Sequence, residues 1–226
     1  MIPITATDEW RSAHPGAIIG LLELAGIDNT QPCPALDAHK RAAETNLRAR
    51  YQGFTRQDFL ALPVMAAYEQ YYRRFDKTYH VLLQVESIVL KGKSLPTVSP
   101  LVDASFIAEV DTLALTAGHD VEKLLSPISI DISRPGDQIT QLNGVSKPIR
   151  AGDMVMRDAG GISCTILYGQ DNRSPISPST RHVLYVTYAP PGVTPEQIEA
   201  QFSRIETYVR LFAPSLVVEQ CRLLTA

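Results

Sequence analysis

The chain holds only three cysteines, Cys33, Cys164 and Cys221, far apart and without a CxxC pair. That argues against a thiolate zinc cluster or a disulfide framework, and the three read as buried thiols in a reducing compartment. Glycine (13) and proline (16) are too scarce for a collagen-like or linker chain, and a 45% apolar fraction excludes disorder. No run approaches 18 apolar residues, and the opening MIPITATDEW has neither a basic nor an apolar leader region. A soluble, cytoplasmic protein with no membrane association is expected. The five histidines lack HExxH or other metal-ligand spacing, and GxSxG, Walker and GxGxxG motifs are missing. No metal and no cofactor is therefore expected.

A strong charge of either sign is missing too, since the net charge over 226 residues is −3. That argues against a protein that coats nucleic acid. The total conceals a pattern, however. Residues 1–39 carry one basic and five acidic side chains, residues 40–93 ten basic and five acidic, and residues 94–226 ten and fourteen. The middle segment places Lys40, Arg41, Arg48, Arg50, Arg73 and Arg74 among tyrosines and phenylalanines. Such a mixture suits a phosphate backbone with stacked bases, or else the solvated faces of two amphipathic helices.

What is present reads as an α+β fold. The apolar run Ala17 to Ile27 suits a strand. Helices follow: one capped by Asp37 and running to about Tyr51, one started by Pro63, one over Tyr79 to Leu90, and one over Val98 to Leu113. Strands then take over. Residues 128–133 alternate strictly, and 162–167 and 183–188 are β-branched and aromatic. Thr194, Pro195 and Gln197 open a last helix with a capping box, and Ile198, Phe202, Ile205, Val209 and Phe212 form its apolar stripe. Leu216 to Val218 reads as a closing strand. The expected arrangement is a helical N-terminal half packed on a mixed β-sheet core, covered by the C-terminal helix.

Two segments could carry chemistry. Gly118-His119-Asp120 sets an imidazole beside a carboxylate, as an acid/base pair or with Asp120 as the N-cap of the following turn. The polar loop from Leu167 to His182, stiffened by Pro175 and Pro178, joins two strands and suits a binding loop or an ordinary surface connection.

Read in order, Leu101-Val-Asp103, GHDVEKL, Ile128-SIDIS, MVMRD with Gly160-Gly161, and YGQDNRSPIS–STRHVLYV resemble the B3/B4 domain. That domain edits in the β subunit of phenylalanyl-tRNA synthetase and also occurs as freestanding proteins. The resemblance is strongest over residues 98–189, with 1–97 as a helical extension of one domain spanning 1–226. It implies hydrolysis, in trans, of the ester of a mischarged aminoacyl-tRNA, a reaction that needs no metal. On this resemblance His119, Asp120, Asp171 and Thr180 are assigned to catalysis, and Ala117, Gly169, Gln170 and Asn172 to substrate binding. The six basic residues of the middle segment would face the RNA. Departures are specific: Ala117 stands where the bacterial domain has a pocket histidine, and Val186 where the family has a glutamate. Specificity for tyrosine is therefore not carried over. The same fold could instead serve as a non-catalytic module binding tRNA or a partner, or act on a small metabolite.

Overall fold

The computed structural model describes residues 1–226. In chain order the elements are β1 (Ile4–Ala6), α1 (Asp8–Ala13), β2 (Ile18–Ala25), α2 (Pro34–Arg50), α3 (Arg56–Leu60), α4 (Pro63–Arg73), α5 (His80–Val89) and α6 (Pro100–Thr112). Strands β3 (Thr116–Asp120), β4 (Ile128–Ile132), β5 (Gln138–Thr140), β6 (Ser146–Pro148), β7 (Met154–Asp158), β8 (Gly161–Thr165), β9 (Gly169–Gln170) and β10 (His182–Ala189) follow. Helix α7 (Pro195–Arg210) and β11 (Val217–Thr225) close the chain. The fold is α+β. No helix is long and apolar enough to cross a membrane.

An antiparallel sheet runs β11-β2-β10-β3, and a mixed one β1-β4-β7-β8-β9, with β1 parallel to β4. Helix α7 covers the first sheet at β2. Its Thr194–Gln197 capping box is formed, and Ile198, Phe202, Ile205 and Val209 are buried. Gly20 of β2 permits the close approach: a Cβ there would lie 2.5 Å from Ile198 Cγ2 and 2.7 Å from Phe202 Cζ. Gly20→Ala is expected to overpack this layer and cost about 1–3 kcal/mol in urea denaturation; an unchanged midpoint would mean that α7 does not lie on this face.

The helices are tied to the strands by buried tyrosines. Tyr71 of α4 donates to Asp153 Oδ1 (2.7 Å) and accepts from the Met154 N–H (2.7 Å). Tyr72 donates to the Ile166 carbonyl, and Tyr79 to that of Leu113 (2.9 Å). Helix α6 packs against α2, α5, α7 and β3, and its buried side chains point all round its circumference. A helix without a polar face belongs inside.

Several expectations need correction. Helix α2 starts earlier than expected, with Cys33 Sγ accepting from the Leu36 N–H and Pro34 in the first turn, so Asp37 does not cap it. Strand β11 is far longer than Leu216–Val218, because it is a largely exposed edge strand with little apolar pattern to betray it. The short β1 and α1 were not anticipated. Of the three cysteines only Cys164 is buried; Cys33 is half-buried and Cys221 exposed.

Candidate functional site

A cavity of about 380 Å³ opens between α5, α6, β3, β8 and the β9 loop, within the size range of small-molecule sites. Helical spacing builds two of its walls. Val102, Ser105, Phe106 and Glu109 fall on one stripe of α6, and His80 and Gln84 one turn apart on α5. Sheet residues Thr116, Ala117, Cys164, Thr165 and Tyr188 form the floor, and Gly169, Gln170, Pro175 and Ile176 the rim. Gly169 enters β9 at φ +80°, a left-handed conformation that suits glycine.

Glu109 is the one acidic residue in this lining, which holds no lysine or arginine. It is 3% exposed, and its only side-chain hydrogen bond is the Thr116 N–H donating to Oε1 at 2.9 Å. Burial pushes its carboxyl up to about 8, against the pull of that N–H. Burial likewise holds His80 down at about 4 and pushes the Cys164 thiol up to about 12. The Tyr188 hydroxyl and Gln84 Oε1 are buried without any hydrogen-bond partner. Polar atoms buried without a partner are costly to the fold.

Three of the four residues assigned to substrate binding, Ala117, Gly169 and Gln170, line this cavity. Asn172 does not; it is exposed, with its backbone N–H donating to the Thr140 carbonyl (3.0 Å). None of the four residues assigned to catalysis lines it either. His119 and Asp120 are neighbours on β3, where successive side chains point to opposite faces, and they find different partners. The His119 ring meets Ser174 Oγ at 2.8 Å, and Ser174 Oγ donates to Asp171 Oδ1 at 2.8 Å. Gln170 Nε2 also lies 3.4 Å from His119 Nδ1, and the buried Nε2 of the imidazole has no partner. Burial holds this imidazole down at about 3. Arg173 completes the cluster, 2.7 Å from Asp171 Oδ2 and 3.0 Å from Asp158 Oδ1.

Asp120 accepts from the Thr180 hydroxyl (2.8 Å) and the Glu122 N–H (3.2 Å), and Lys123 Nζ lies 3.1 Å away. It therefore does cap the turn that follows β3. Together the two clusters pin the 171–180 loop to β3.

The basic residues are scattered. Lys40 is fully buried on Asp103, at 2.6 Å, and so cannot face RNA. Arg41 pairs with Glu44 (2.6 Å), and Arg48 donates to the Ile88 and Lys93 carbonyls at the end of α5. Arg50 shares a depression with Asp111 and Arg204, whereas Arg74 lies beside Pro190 and Pro191. Arg73 is exposed. None of the six lines the cavity. The aromatics between them are mostly core: Phe59, Tyr68, Tyr71, Tyr72 and Phe75 are buried and offer no stacking faces to bases.

Sequence reasoning missed Glu109, His80 and Gln84. The available signal was in α6: a glutamate inside a helix apolar all round has to be buried.

No family model and no curated protein matches the sequence. Among solved structures the chain is similar to an N-terminal fragment of the phenylalanyl-tRNA synthetase β-subunit from Pyrococcus horikoshii, at 6% identity and a TM-score of 0.45. The match covers 99% of this chain and 52% of that one, so this chain spans about half the length of that fragment.

Proposed function

We propose that the chain hydrolyses the ester of a mischarged aminoacyl-tRNA in trans, with the cavity beneath α6 receiving the aminoacyl group. The observation that carries this reading is the meeting of Ala117, Gly169 and Gln170 at one cavity of suitable size. Motif order alone assigns these to substrate binding, and Ala117 lies about 50 residues from the adjacent pair Gly169-Gln170. Hydrolysis of an activated ester needs the acyl group held and a water positioned, with donors facing the developing oxyanion. In this reading Ala117, Gly169 and Gln170 hold the aminoacyl end. His119, Asp120, Asp171 and Thr180 act as positioning residues, keeping the loop closed over β3.

Purified protein is expected to release amino acid from at least one member of a panel of mischarged tRNAs. The rate at low substrate is expected to fall with added salt, because phosphate contacts weaken with salt. A full panel left intact by stoichiometric protein would sink the proposal. One observation favours a second reading, a tRNA- or partner-binding module without turnover: none of the residues assigned to catalysis reaches the cavity. Saturable tRNA binding with an intact panel would select it.

A further inference from the structure

We propose that the cavity between α5, α6 and β3 binds a small amine with an apolar body, its ammonium group seated against Glu109. The chemistry of the lining carries this. Val102, Phe106, Leu115 and Ile176 supply apolar surface for the body. No cationic side chain lines the space, so an anionic ligand would enter without a counter-charge, beside a carboxyl group. One acceptor awaits a donor: Glu109 Oε2, since only Oε1 is engaged. A primary ammonium brings three N–H donors and the one charge that the lining can neutralise.

The titratable groups packed around Glu109 are neutral near pH 7 and give its carboxylate no counter-charge. They are Tyr68 and Tyr72 of α4, Tyr79 before α5, His80 of α5, and Cys164 and Tyr188 of the sheets. On its own helix Asp103 is occupied with Lys40 and Asp111 with Arg204. Burial holds the Glu109 proton up to about pH 8, so a bound ammonium displaces it to the buffer. Binding below pH 8 therefore releases a proton and tightens as pH rises.

If the deacylase reading holds, the amine is the α-ammonium of the aminoacyl group; the amine site itself does not depend on that reading. The test is titration calorimetry on the full chain with phenethylamine and isoamylamine, against phenethyl alcohol and 3-phenylpropanoate. Expected results are amine binding at least about tenfold tighter at pH 8.5 than at pH 6.5, with a heat that depends on the buffer's ionisation enthalpy. The alcohol should bind more weakly and without pH dependence, and the carboxylate not at all. Glu109→Gln should weaken the amines at least tenfold and leave the alcohol unchanged. Amines that bind no better than the alcohol, or amine affinity unmoved by Glu109→Gln, would overturn the proposal. Deacylation without amine binding removes this inference and leaves the deacylase reading standing. Amine binding beside an intact tRNA panel does the reverse.

Discussion

Lys40→Met is expected to destabilise the protein by about 3–5 kcal/mol, the cost of stranding a buried charge whose partner has been removed. Lys40 is fully buried in α2, and all three of its ammonium protons are used. Nζ donates to Asp103 Oδ2 (2.6 Å), Thr97 Oγ1 (2.8 Å) and the Pro96 carbonyl (3.2 Å). Asp103 is equally buried, and its second oxygen accepts the Val98 N–H at 2.9 Å. The pair thus fastens α2 to α6, whose stripe walls the cavity, and Thr97 and Pro96 tie in the loop that leads to it. Methionine fills the volume of the lysine stem, so the loss is electrostatic rather than a cavity effect. Lys40→Met combined with Asp103→Asn should regain most of the stability, because the second change removes the orphaned charge and keeps an acceptor for Val98. Urea denaturation of the single and double variants reads this directly. A lysine that contacted RNA would behave otherwise, with stability nearly unchanged and a shallower salt dependence of tRNA binding.

The contrast between Lys40 and α7 shows what was legible in the chain. Helix α7 carries its own instructions: an N-cap threonine, proline at the first position, a capping-box glutamine and an apolar stripe, of which only Phe212 falls beyond the helix end. Strands β4, β8 and β10 and helices α5 and α6 were similarly readable, each ending within about two residues of expectation, and α4 starts at Pro63 as expected. A three-residue strand such as β1, or a six-residue helix such as α1 that makes fewer than two turns, holds too few residues for its period to show. Both exist because the core accepts Ile4 and Trp10. The fate of Lys40 could not be read locally, since a lysine on an amphipathic helix looks alike whether it faces water or a buried aspartate 63 positions away.

The site was legible in part, for the same reason. Ala117, Gly169 and Gln170 were reachable because the order of short motifs pointed to them. His119 and Asp120 looked like an acid/base pair because adjacency in sequence suggests contact. Strand geometry separates them, giving one to Ser174 and the other to Thr180. Glu109 was legible only through α6 as a whole: Leu101, Ala104, Ile107, Ala108 and Val110 fill the opposite half of the helix and Val102 and Phe106 flank Glu109 on its own, so no charged face remains for a solvated carboxylate.

That placement makes Glu109→Gln the second large effect, and its sign depends on pH. In the folded protein burial holds the Glu109 proton up to about pH 8, whereas a free glutamate releases it near 4.5. Between those values the unfolded chain has lost a proton that the folded chain keeps, so stability falls as pH rises through that window and levels off above it. The full shift corresponds to a penalty on the order of a few kcal/mol above pH 8. Glutamine keeps an acceptor for the Thr116 N–H and has no proton to lose. The variant should therefore match the parent near pH 5, gain on it steadily towards pH 8, and exceed it by about 2–4 kcal/mol beyond that. Urea midpoints at pH 5, 6.5, 8 and 9 measure the widening gap; a constant difference across that range would mean that Glu109 is not held protonated by the fold. A more stable variant that has also lost amine binding would identify Glu109 as a residue kept for its ligand at the expense of stability, since a carboxyl with only a structural role would not destabilise the fold that buries it.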